Sequence, residues 1–246
     1  MLDWNMLVYI AIGFFAQLVD GTIGMAYGIC STTFLTFSGI SVGIASASVH
    51  AAEVITTFVS SLAHFRMKNI DGELFKRLLV PGIIGGVIGA GVLSNVKCNV
   101  LSILANLYLI VMGAIILFNI NKKKNSLKSK THIFAVGFLG GMLDAVGGGW
   151  GPIVTSTMLA TGHSPRYTIG SVNAVEFFVT VFQTVIFSSF LEIEEYINVI
   201  IGLGLGGVVA APVAAMISKK ISEKALMIIV GIVIIFLNIL NVIKTV

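Results

Sequence analysis

One stretch of this chain occurs twice, and that duplication limits what the chain can fold into. Gly13 to Gly28 reads GFFAQLVDGTIGMAYG, and Gly137 to Pro152 reads GFLGGMLDAVGGGWGP. Each copy has an apolar lead-in, one carboxylate (Asp20, Asp144) and a cluster of glycines. A second matched signature follows each. It is Ser48-Val49-His50-Ala51-Ala52-Glu53 in the first half and Ser171-Val172-Asn173-Ala174-Val175-Glu176 in the second. Two signatures in the same order make an internal repeat, so the halves are expected to build the same unit.

The medium of that unit follows from its residues. A soluble domain carries about 25% charged residues to cover its surface. Here charged residues are 11% and hydrophobic ones 57% of the 246 residues, with a mean hydropathy of +1.02. The apolar surplus falls in runs near the roughly 20 residues that a helix needs to cross a bilayer core. Apolar segments are expected at 4–20, 25–37, 43–65, 78–95, 99–120, 132–146, 149–161, 168–190, 196–217 and 224–243. The pairs 4–20/25–37 and 132–146/149–161 are short and join at the glycine clusters. At about 1.5 Å per residue, each pair is best read as two short helices meeting at an irregular turn inside the membrane. Such a turn survives there only when it is buried in protein or lines a polar cavity. The N-terminal run has Asp3 and no basic residue before it, which is not the pattern of a secretory signal. Cys30 and Cys98 stand at no metal or redox spacing.

Charge sets the expected orientation. With the Lys-rich linker placed in the cytoplasm, thirteen of the 15 Lys and Arg residues fall inside, and only Lys97 and Lys244 fall outside. The acidic loop of Glu192, Glu194 and Glu195 also falls outside. Both termini then lie outside. Because each half contributes an odd number of segments, the halves enter the membrane in opposite senses. The expected fold class is all-α: a polytopic integral membrane protein of two inverted-topology repeats, 1–120 and 132–246, flanking the linker 121–131. Broken helix pairs would meet near the bilayer midplane, where secondary transporters bind substrate. Gly85-Gly86-Val87 matches Gly206-Gly207-Val208, and small residues at such spacing suit close helix packing in lipid. No basic face tracks a phosphate backbone, so nucleic acid is excluded as a partner.

The glycine clusters are the first candidate binding residues: Gly24, Met25, Ala26 and Tyr27, with Gly148, Gly149 and Trp150. Each break would present free N–H groups of the following half-helix to an oxyanion. Asp20 and Asp144 read equally as proton carriers or as helix caps. Glu53 and Glu176 are intramembrane carboxylates, and such residues are coupling or structural candidates. Ser48, His50, Ser171 and Asn173 either donate hydrogen bonds to an anion or brace the glycine turns. Gln17, Thr56, Thr57 and Gln183 are further polar residues able to line a pathway. His50-x-x-Glu53 is a weak metal signal without further His partners, so no metal site is expected.

At these residues the chain resembles the sulfite exporter TauE/SafE family of membrane transporters. The glycine-rich run of that family is well kept in Gly147-Gly148-Gly149-Trp150-Gly151-Pro152, whereas the first copy departs from it as Gly24-Met25-Ala26-Tyr27-Gly28. That stretch, with Ala47-Ser48-Val49-His50-Ala51-Ala52-Glu53 and His64-Phe65-Arg66, resembles a distinct branch of the family. The resemblance implies export of a small sulfur-containing anion, sulfite or an organosulfonate, across the cytoplasmic membrane. Alternating access with proton coupling is the expected mechanism. A passive anion channel, or an importer of a related anion, is the alternative. An enzyme is disfavoured: no nucleophile–base pair, nucleotide loop or cofactor motif is present.

Overall fold

The structure is a computed structural model that describes residues 4–23, 25–95, 99–119, 130–161, 163–191, 196–217 and 223–245. Among these residues every regular element is a helix. The first half gives α1 (Trp4–Ile23), α2 (Tyr27–Phe37), α3 (Val42–Arg66), α4 (Gly72–Asn95) and α5 (Asn99–Asn119). The second gives α6 (Lys130–Asp144), a π-helical turn (Gly151–Thr155) running into α7 (Ser156–Ala160), α8 (Pro165–Phe190), α9 (Ile197–Ile217) and α10 (Glu223–Thr245). The expected breaks fall where the glycine clusters stand. One boundary differs. α4 starts at Gly72, six residues before its apolar run, because Asp71 caps it: the Glu73 and Leu74 N–H groups donate to Asp71 Oδ1 at 2.9 and 3.2 Å. An Arg77–Glu73 ion pair one turn apart adds to that polar start.

The bundle is apolar outside and encloses polar side chains within an otherwise apolar core. Phe118 is 77% exposed, and Phe15, Phe134, Phe236 and Ile243 also stand more than half exposed. Ser31, Thr32, Ser46, His50, Thr180 and Gln183 are fully buried. A water-soluble protein rarely exposes apolar surface on this scale. In lipid there is no penalty for an apolar exterior, and the chain's polar groups must find one another within. α3, α4 and residues 167–190 of α8 are each long and apolar enough to cross a membrane. Shorter apolar stretches occupy 5–20, 103–118, 133–144, 197–211 and 227–243. The protein is an all-α membrane protein.

Helix pairing follows the sequence repeat. α1 packs on α9 as α6 packs on α4, and α3 packs on α9 as α8 packs on α4. α3 pairs with α8, and α5 with α10. Exchanging the two halves leaves this set of pairings unchanged. The glycines show how close the contacts are. A Cβ at Gly85 would stand 2.1 Å from the Phe138 carbonyl oxygen, and one at Gly206 would stand 2.1 Å from that of Ile10. Beside them, Gly86 faces Val179 and Gly207 faces Thr56, residues that hold the same place in their copies. Without a hydrophobic drive between helices in lipid, this backbone approach supplies the packing.

Gly85→Leu and Gly206→Leu are therefore expected to abolish the monodisperse peak in detergent size-exclusion chromatography. Gly91, where a Cβ meets nothing within 4 Å, is the control. Gly91→Ala should keep the peak and hold or raise the melting temperature, since Ala is favoured over Gly in helices by about 1 kcal/mol.

Candidate functional site

A helix that restarts in the membrane begins with N–H groups that have no intrahelical acceptor. Each left without a partner in lipid costs several kcal/mol. Asp20 and Asp144 meet this need identically. The Ala26 N–H donates to Asp20 Oδ1 at 2.8 Å, and the Trp150 N–H donates to Asp144 Oδ1 at 2.8 Å. The Tyr27 N–H adds a longer bond to Asp20 Oδ1 at 3.3 Å. Both carboxylates thus act as caps six residues ahead. These bonds take up the Ala26, Tyr27 and Trp150 N–H groups, while the later N–H groups of α2 receive no side-chain cap.

The two breaks meet. A Cβ at Gly28 would lie 2.5 Å from Gly148 Cα, and one at Gly148 would lie 2.3 Å from Gly28 Cα. Gly148 also has φ +89°, which favours glycine over any L side chain. Gly151 is as close to Met25, with only 2.6 Å between a Cβ and Met25 Cα. The chain halves therefore cross backbone on backbone at their breaks.

The caps match, but their surroundings do not. Asp144 is sealed by α3 of the other half. Its Oδ2 lies 3.2 Å from His50 Nε2, with both side chains essentially unexposed. His50 Nδ1 donates to the Ser46 carbonyl at 2.7 Å, and Ser46 Oγ donates to the Ala145 carbonyl at 2.6 Å. A carbonyl only accepts, so Nδ1 carries the hydrogen and Nε2 is turned toward Asp144 Oδ2.

Asp20 opens instead on a small, partly open cavity at the crossing. It is lined by Gln17 and Asp20 from α1, by Met25, Ala26, Tyr27 and Gly28 at the first break, and by Gly148 and Gly151 at the second. α3 contributes Glu53, Thr56, Thr57 and Ser60, and α8 contributes Asn173 and Glu176. Among the described residues this lining has three carboxylates and no Lys, Arg or His. Its volume for water-sized occupants is about 20 Å³, room for one water or small ion on the usual requirement of roughly 10–15 Å³.

Of the residues singled out in the sequence, the structure brings Gln17, Asp20, Met25, Ala26, Tyr27, Glu53, Thr56, Thr57, Gly148, Asn173 and Glu176 to this cavity. Gly24 lies outside the described residues. Ser48 is buried in α3 but is not part of the lining. His50 and Asp144 brace the second break. Ser171 braces the α3–α4 connection: its Oγ accepts the Asp71 N–H at 2.8 Å. Trp150 is a fully buried wedge whose indole N–H donates to the Val172 carbonyl at 3.2 Å. Gly149 lies against the Tyr108 hydroxyl, and Gln183 donates to the Gly141 carbonyl at 3.2 Å. Gly28, Ser60 and Gly151 join the lining without having been singled out. Ser60 was readable from helical spacing, since 53, 56, 57 and 60 share one face of α3. No group of three or more His, Cys, Asp or Glu among the described residues is placed to hold a metal ion.

A bundle with an apolar exterior, buried polar side chains and two broken helix pairs closing on an acidic cavity is the construction of a multi-pass membrane transporter. The chain belongs to the TauE/SafE family, whose model, described as "Sulfite exporter TauE/SafE", matches residues 9–240. It is 37% identical over 245 residues to a protein of Bacillus subtilis (strain 168) described as "Probable membrane transporter protein YtnM". That match covers 95% of this chain and 81% of the relative. No solved structure matches the chain.

The caps make a mutational prediction. Asp20→Asn keeps an acceptor oxygen for Ala26 and should leave the melting temperature within a few degrees of wild type. Asp20→Ala removes it and should cost about 1–2 kcal/mol, in the range of helix-cap deletions, read as a lower melting temperature in detergent.

Proposed function

We propose that this protein moves a small sulfur-containing anion, sulfite or an organosulfonate, outward across the cytoplasmic membrane by alternating access, with protons as the coupling ion. The observation that carries the reading is the cavity at the crossing of the two breaks, where discontinuous helices of secondary transporters hold their substrates. The family description supplies the substrate class and the outward direction. The exchange-symmetric helix pairing supports two inverted repeats, 1–120 and 132–246, joined by the linker 121–131. Rocking one repeat against the other would then open the cavity to each side in turn. Its present volume is near that of one water, so helix movement must precede entry of an oxoanion.

The lining also shapes the mechanism. Ser60, Asn173 and Gln17 supply neutral hydrogen-bonding groups, while Asp20, Glu53 and Glu176 oppose an anion whenever they are ionised. An anion entering this cavity is favoured by protons arriving with it. Anion and proton then raise each other's affinity, as linkage requires. Net direction follows the sum of their gradients, so a high internal anion concentration drives export.

Counterflow of radiolabelled sulfite in proteoliposomes tests this reading, with unlabelled sulfonates and carboxylates as competitors. Uptake is expected to compete with unlabelled sulfite and to accelerate when the outside is acidified. Flux indifferent to the gradient would mark a passive anion channel, and no sulfite flux from sound protein would remove sulfite as substrate. Orientation is checked separately by single cysteines. Ser126→Cys should react with impermeant maleimide only from the cytoplasmic side, and Glu194→Cys only from outside.

A further inference from the structure

We propose that Glu53 is the carboxyl that takes up and releases the coupled proton, with Glu176 across the cavity as its charge partner. This rests on the transport reading above and assigns its proton to a residue. Neither aspartate fits that part. Asp20 Oδ1 is held by two main-chain N–H groups. Asp144 is not part of the cavity lining, and its two carboxylate oxygens are taken up by the Trp150 N–H and His50 Nε2. Glu53 differs from both. It is 3% exposed, it lines the cavity, and its Oε2 has no hydrogen-bond partner. Nearby hydroxyls do not serve it: Thr56 and Thr57 donate instead to the main-chain carbonyl of Glu53 itself. A buried carboxyl oxygen without a partner is costly as a fixed structural element. It is suited to a group that gains and loses a proton beside a site that fills and empties.

The groups around Glu53 give that proton a reason to follow the anion. Asp20 faces it from α1, Tyr27 from α2 and Glu176 from α8, and Asp144 stands farther off at the end of α6. All are acidic or neutral. Tyr27 is committed, its hydroxyl donating to the Leu203 carbonyl at 3.0 Å. α9 and the π-helical turn bring no titratable side chain. With no cation in the described lining, a proton is the counter-charge an incoming anion finds. Gly28 leaves room for the carboxyl, since a Cβ there would stand 3.0 Å from Glu53 Oε1.

The test uses purified full-length protein in lipid and needs no substrate. Infrared difference spectra between acid and alkaline pH read the C=O stretch of protonated carboxyls. Wild type should show such a band on acidification. Glu53→Gln should remove its main component, Glu176→Gln should shift its midpoint, and Asp20→Asn and Asp144→Asn should leave it in place. A band that survives Glu53→Gln in monodisperse protein, or that disappears in Asp144→Asn, overturns the assignment. If Glu53→Gln does not fold, Glu53→Asp replaces it, and an unmoved midpoint in that variant counts equally against the proposal. In proteoliposomes, whatever anion flux Glu53→Gln retains should no longer respond to a pH gradient. Absence of sulfite flux in wild type would remove the substrate reading while leaving the infrared result to decide the proton site.

Discussion

A peptide N–H has no partner in hydrocarbon, and that constraint governs this molecule. Breaking a helix inside the membrane exposes several such groups at the restart, and the cost of leaving them bare would exceed the net stability of most folds. Asp20 and Asp144 ease it in the same way, each reaching six residues ahead to an N–H at 2.8 Å. Once both breaks are capped and compact, they can meet without side chains between them, as Gly28 and Gly148 do. The cavity is the space left beside that crossing.

Two matching caps in different surroundings make the halves inequivalent. His50 closes over Asp144, whereas its counterpart Asn173 lines the cavity that Asp20 faces. The carboxylates that line that cavity are Asp20, Glu53 and Glu176. The matched signatures therefore do different work in the two halves. The family description speaks of a sulfite exporter.

Much of the fold was legible in the sequence because membrane helices announce themselves by length and apolarity. The ten expected segments correspond to the described helices, and α4 alone begins a full turn or more early, where a polar cap replaced the apolar signal. The site was legible in part. Asp20, Glu53, Asn173 and Glu176 could be named because a polar residue on an apolar segment stands out. His50, Ser171 and Trp150 stand out equally and turn to bracing the breaks and connections instead. Which polar residues point inward together depends on how helices cross, and that depends on backbone contacts such as Gly85 with Phe138 that no single motif encodes. The fate of the half-helix N–H groups was similarly hidden, since a cap and a ligand satisfy them equally well.

The meeting of the two breaks can be tested directly by cross-linking. Ser156 Oγ lies 3.5 Å from Met25 Sδ, on opposite halves of the chain. Met25 and Ser156 would be replaced by cysteine in a background without Cys30 and Cys98, with a protease site placed in the linker. Oxidation followed by cleavage of the linker should leave the halves joined on a denaturing gel and separable by reductant. Halves that part after oxidation, in protein that elutes as a single folded species, would contradict the crossing and the cavity built on it.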